Sequence, residues 1–277
     1  MPHDQNQNGH FDPIHQAHAI EQVLFVLQFD RPLNDVNFAK VRKVSEQFQS
    51  ELPGRNDVQN IKMVIGPTGP AGSTPPTPVT VFRRVGPDGT VENELRVEPT
   101  SLTFRTSLYT RWDAVWTRTR KYFDAIIPMY VAHAKILGVG LNFIDKFVWV
   151  GAIAECRPSL LLRPESNYLC PHVHTAKDLW HSHTGAFLRI DSKTKRLLNI
   201  NVDYIDENQP NGLRRVVTIT TVLTDLMNQP GYASSEVAAE GASEFFAAHM
   251  KQLHKFGKEV FGNIINDEMS KRIALIG

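Results

Sequence analysis

The sequence predicts an α+β protein: a mixed or antiparallel sheet packed by amphipathic helices, with room for two similar sub-domains. Three observations carry that expectation. β-rich runs follow one another at 79–85, 91–97 and 101–109, whereas a doubly wound fold would alternate each strand with a helix. Apolar stripes at helical spacing then close each half, at 110–130 and from Ser243 onward. The second half repeats the plan of the first, strands followed by a long helix, which suggests both halves packing on one sheet.

The elements follow in order. Residues 1–15 read as a disordered tail, because a polar run of this kind buries too little apolar area to offset its ordering entropy. The run from Ala19 to Phe29 is continuously hydrophobic, which predicts a strand covered on both faces, stopped by Asp30-Arg31-Pro32. Asn34 and Asp35 offer N-cap side chains to a helix carrying Phe38, Val41, Val44 and Phe48. Residues 66–78 hold three Gly-X-Y triplets, too few for a triple helix, and read as a surface loop or linker.

Gly86-Pro87-Asp88-Gly89 is a hairpin turn signal between two of the strands. Thr110-Arg111-Trp112-Asp113 matches a capping box, with Thr110 as the expected N-cap. Behind it, Val115, Thr119, Tyr122, Phe123, Ile126 and Tyr130 share one helix face. Residues 136–150 are a long, β-branched and aromatic strand that suits the centre of a sheet. Residues 197–204 alternate in period two, 206–212 turn the chain, and 214–226 return as a partner strand. The last long helix places Phe246, Leu253, Phe256, Val260, Phe261 and Ile264 on one side, and Asn266-Asp267 can break it and cap a terminal turn. The expected division is 16–155 for the N-terminal half and 156–277 for the C-terminal half.

Composition narrows the function classes. A net charge of +1 argues against a partner such as bulk duplex DNA, whose binding needs clustered Lys and Arg. Two cysteines make no disulfide framework, and no run reaches the roughly 18 apolar residues of a membrane span. The polar start lacks the basic and apolar regions of a signal peptide. A cytoplasmic, non-membrane protein is expected.

Several segments also resemble a sporadically distributed family of bacterial and archaeal proteins of unknown function and about this length. Ala19-Ile20-Glu21-Gln22-Val23-Leu24-Phe25 is similar to the family's IE.V.F start. Tyr109 with Trp112 resembles its aromatic entry to the middle helix. Leu179-Trp180-His181-Ser182-His183-Thr184-Gly185 resembles its Trp-His-x-His-x-Gly-like segment, and 253–269 its closing helix. Where the family pattern has Arg-Tyr-Ile-Asn, this chain reads Asn142-Phe143-Ile144-Asp145, so a site using that Arg does not carry over. The resemblance implies a fold, and its patchy distribution implies a mobile locus of the defence or toxin–antitoxin kind.

The concentrated chemistry lies at 170–183, with Cys170, Asp178 and four of the eleven histidines. In an extended strand each His-x-His pair can aim two imidazoles at one point. His172, His174, His181 and His183 are therefore the candidate ligands for zinc or another divalent transition metal, and three of them plus water would suit a hydrolase. No complete metal motif surrounds them, and the preferred reading is structural, with no cofactor expected. Cys170 beside His172 or His174 is a weaker candidate for nucleophilic catalysis, since catalytic partners usually converge from separate segments. Cys156 reads as a small buried residue.

Arg111, Arg118, Arg120 and Lys121 are the candidate partner or nucleic-acid surface, although Asp113 and Asp124 dilute them. Trp112 and Trp116 could form a ligand cage, but their helical spacing with Tyr122 and Phe123 favours core positions. The leading expectation is a non-enzymatic interaction or regulatory protein, antitoxin-like or a defence accessory. Its partner would be another protein ahead of nucleic acid, with a homo-oligomer left open. The competing expectation is a metal-dependent hydrolase acting on a phosphoester or an amide.

Overall fold

Strands β2 (Ile20–Phe29) and β9 (Ile136–Val150) pair antiparallel at the middle of a ten-stranded sheet. The structure, a computed structural model, describes residues 9–60, 63–66, 69–73, 77–210 and 212–275. Beyond β2 lie β8 (Ser101–Thr106), β7 (Val91–Glu98), β6 (Thr77–Val85) and β3 (Gly54–Asn60). Beyond β9 lie β12 (Gly212–Met227), β11 (Thr194–Gln209) and β10 (Trp180–Arg189), while β1 (His10–Pro13) also pairs with β9. Every one of these pairings is antiparallel. A separate hairpin joins β4 (Met63–Gly66) and β5 (Gly69–Ser73).

Among the described residues four α-helices accompany the sheet: α1 (Asp35–Ser45), α2 (Trp112–Val131), α3 (Ala242–Ile264) and α4 (Asp267–Arg272). The stripe on α2 is buried from Val115 to Tyr130, as its spacing predicts. It packs Tyr122 edge-on to Phe104 of β8 and to Phe48, while Phe123 stacks on Phe246 of α3. On α3, Phe261 stacks on Phe147 of β9. Each large apolar side chain buried this way contributes about 1.5–3 kcal/mol before entropy is counted. Both long helices thus lie on one face of the sheet. Gly257 lets α3 settle closely on it, since a Cβ there would sit 3.3 Å from Leu223 Cδ1 and 3.6 Å from Phe143.

Pairing reveals how the two halves correspond. In the first, β6, β7 and β8 form a meander whose last strand pairs with β2, and α2 follows. In the second, β10, β11 and β12 form a meander whose last strand pairs with β9, and α3 follows. The joint between the repeats therefore falls between α2 and β9, not at 155/156. Strand β9 is the first strand of the second unit because β12 bonds to it as β8 bonds to β2. One sheet runs through both.

Other expectations change as well. Helices cover one face of β2 only, so Val23, Phe25, Leu27 and Phe29 are buried while Leu24 and Val26 are half-buried. Within the expected tail, residues 10–13 form β1, because Phe11 packs edge-on to Trp149 and is buried. Residues 1–8 lie outside the described residues, as do 67, 68 and 74–76 of the expected loop at 66–78; its 69–73 portion pairs as β5. The N-cap of α1 is Asn34, whose side chain accepts from Asn37 N–H, as expected. The N-cap of α2 is Arg111, with no side-chain capping bond, which puts the Thr110 box one residue out of register.

Candidate functional site

The four candidate histidines are not brought together. His181 and His183 project from one side of β10, while Trp180 and Ser182 are buried on the other. His172 and His174 sit in a short 3-10 turn, Pro171–His174, anchored by buried Val173. A hydrogen bond from Cys170 N–H to Ser182 Oγ, 3.5 Å, holds that turn against the side of β10 opposite His181 and His183. The strand's period of two, which made the His-x-His pairs look convergent, is what separates them. His181 Nδ1 pairs with Asp203 Oδ1 at 2.7 Å, and His183 bonds Asn199. Among the described residues no group of three or more His, Cys, Asp or Glu could hold a metal ion.

The basic residues of α2 are likewise dispersed. Arg120 reaches Asp124 at 3.1 Å and Glu244 at 2.7 Å, Lys121 pairs with Glu51, and Arg118 bonds Asn93 and the Leu108 carbonyl. Charges engaged this way leave little for a phosphate backbone. Cys156 is buried, as expected, and burial pushes its thiol up despite a hydrogen bond with Tyr204.

What the structure does assemble is a cleft that the motifs did not indicate. It encloses about 820 Å³ counting its mouth, and it opens where the N-terminus of α2, the middle of α3 and the sheet meet. Its walls are largely aromatic, with Tyr109, Trp112, Phe143 and Phe261 in the lining. Ile273 and Leu275, after α4, also line it. Trp116 belongs to the core, near Phe25 and Phe246. Trp112, half-buried like Trp116 and also near Phe25, lines the cleft as well, stacked flat on His254 with centroids 3.7 Å apart. Helical spacing located both Trp112 and Trp116 on the inward face, and both pack against the core beside Phe25; Trp112, on the first turn, also reaches the cleft.

The floor is polar and unusual. Asp145 of β9 is 4% exposed and has no hydrogen-bond or ion-pair partner among the described residues. Removal from water disfavours the carboxylate, and its pKa is pushed up to about 8. Thr221 of β12 is buried in the same cleft lining, its hydroxyl without a partner among the described residues. His18 contributes a third such atom. Its Nε2–H donates to the Tyr109 carbonyl at 3.0 Å, so in the neutral ring Nδ1 carries a lone pair; the Ile20 backbone also acts on the ring, and Nδ1 is buried without a hydrogen-bond partner among the described residues.

The cleft's two histidines and its tyrosine are held neutral. Burial, with help from nearby His15, lowers the His18 pKa. Burial and then Lys258 bring His254 down to about 4, against the opposing pull of Asp113. Burial and the Asp145 charge raise Tyr109 to about 12. Arg111 and Lys258 are exposed residues of the lining and supply positive charge there. Asp145 stands in Asn142-Phe143-Ile144-Asp145, where no motif read from the sequence marked it as a site residue. No protein-family model matches the chain, and none of the curated proteins matches it.

Proposed function

We propose that this protein is a non-enzymatic regulatory or interaction protein that binds a small organic ligand in the cleft between α2, α3 and the sheet. One observation carries the reading: the buried carboxyl of Asp145 meets no partner of its own chain among the described residues, at the floor of an aromatic-walled cavity. Buried polar groups are almost always satisfied, and an orphan costs about 1–3 kcal/mol. A group kept at that cost, in a concave site with few polar atoms, is what small-molecule sites look like.

The wall formed by Ile273 and Leu275 would carry occupancy to the segment after α4, and so to a surface that a protein partner can read. The antitoxin-like or defence-accessory role rests on the family resemblance and concerns that partner. We assign the protein to the cytoplasm on its two unpaired cysteines, Cys156 and Cys170.

A fragment screen read by thermal shift, with hits mapped by Trp fluorescence in wild type and Trp112→Phe, tests the reading. Hits that raise the melting temperature and lose their fluorescence change in Trp112→Phe are expected. A screen with no such hit would overturn it.

A further inference from the structure

We infer that the cleft takes a primary ammonium group, seated on Asp145, Thr221 and His18, on an apolar body whose far end is anionic. The inference rests on the ligand-binding reading above and names the chemistry of that ligand.

An ammonium presents three N–H donors and no acceptor. The floor offers three groups able to accept and without hydrogen-bond partners among the described residues: Thr221 Oγ1 and His18 Nδ1, both shut off from water, and the Asp145 carboxylate of a buried residue. The His18 tautomer is the informative detail. Because its other nitrogen donates to the Tyr109 carbonyl, the atom left over is an acceptor, which a ligand carboxylate or carbonyl could not use. The walls agree, since Tyr109, Phe143 and Phe261 present rings to a cation in a desolvated site. The ligand's charge also replaces what the fold omits: no Lys or Arg pairs with Asp145 among the described residues.

Arg111 and Lys258 bring exposed positive charge to the lining, and Arg111 is near enough to His18 to act on it. Both are lining residues, both are exposed, and neither has a carboxylate partner among the described residues. They disfavour a bare cation and favour a carboxylate or phosphate at the mouth. An ω-amino acid is the simplest molecule of that form.

Binding also moves a proton. Empty, the floor holds Asp145 protonated at neutral pH; the ammonium makes the carboxylate the favoured form, and the proton leaves to solvent. The other titratable groups around it are His18, Tyr109 and His254, with Arg111 and Lys258 also in the lining and Asp113 acting on Tyr109 and His254. His18 and His254 are held neutral, and Tyr109 is protonated, before and after, so about one proton is released per ligand at pH 7.

The test is calorimetry on the full chain with 6-aminohexanoate, hexylamine, hexanoate and indole, in buffers of different ionisation enthalpy. Binding of 6-aminohexanoate ahead of hexylamine, with about one proton released, is expected. Hexanoate and indole should bind far more weakly. Asp145→Asn should weaken 6-aminohexanoate at least about thirtyfold and abolish the proton release. Thr221→Val should weaken it about two- to tenfold. Circular dichroism checks both variants, and if Asp145→Asn does not fold, Thr221→Val and wild-type proton release decide. Equal binding of hexanoate or indole, or amine binding unchanged in Asp145→Asn, overturns the inference and leaves the ligand-binding reading standing. Silence from all four probes overturns the inference too, and the fragment screen then shows whether the broader reading falls with it.

Discussion

Asp145 and Asp225 stand on the same face of neighbouring strands, β9 and β12, and both are buried beneath α3. Their environments are opposite. Asp225 receives Arg196 in a two-pronged contact at 2.6 and 3.0 Å and His249 of α3 at 2.8 Å, while Arg196 also lies over the Phe256 ring. Burial alone would raise the Asp225 carboxyl, but the bonds from His249 and Arg196 outweigh it and hold it below the usual range. Asp145 has the burial without the bonds, and goes up. The contrast separates two uses of one residue type: a carboxylate that ties a helix to a sheet, and a carboxyl whose partner must come from outside.

The comparison can be broken or sharpened by substitution. Asp225→Ala should have the largest effect, a loss of about 3–5 kcal/mol in urea denaturation, because it strands Arg196 in the interior. A loss below about 1 kcal/mol would mean that the pair is not the anchor described. His249→Ala should cost about 1.5–3 kcal/mol, the value of a hydrogen bond to a charged group. Asp145→Asn should instead stabilise the protein at pH 9, by about 1–3 kcal/mol, since it removes a charge that nothing offsets.

The pH dependence has opposite signs at the two sites. Asp145 has a raised folded pKa, so the folded state holds its proton while the unfolded state has lost it. Its contribution makes stability fall as pH rises from about 4 to about 8. Asp225 has a lowered pKa, so its contribution is full above the ordinary carboxylate range and is lost as pH falls through the lower folded value. Melting curves from pH 4 to 9 should therefore flatten in Asp145→Asn and keep their downward slope in His249→Ala. The smallest effect belongs to His181→Ala, within about 0.5 kcal/mol, because its bond to Asp203 is at the surface.

The elements were legible because their signals are local. The stripe on α2, the Asn34 cap and the long strand at 136–150 each follow from residues close in sequence. The two-repeat plan was half legible: similar strand and helix content was visible, but the joint depends on β12 pairing with β9, which no local pattern encodes. The candidate histidines misled for the same reason. Sequence proximity suggested convergence at 170–183, whereas the pleat sends His181 and His183 to one side and the turn packs on the other. The cleft draws His18, Trp112, Asp145, Thr221, His254 and Leu275 from six separate places in the chain, each unremarkable where it stands.

By itself, then, the sequence determined the α+β class, most of the elements and the inward faces of the helices, because apolar periodicity selects a buried side whatever it is buried against. Tertiary structure alone decided which buried carboxyl has a partner. Asp145 and Asp225 look alike in an alternating strand. Whether Arg196 and His249 arrive, or an aromatic cleft opens, is set by pairing across the sheet and by where α3 crosses it.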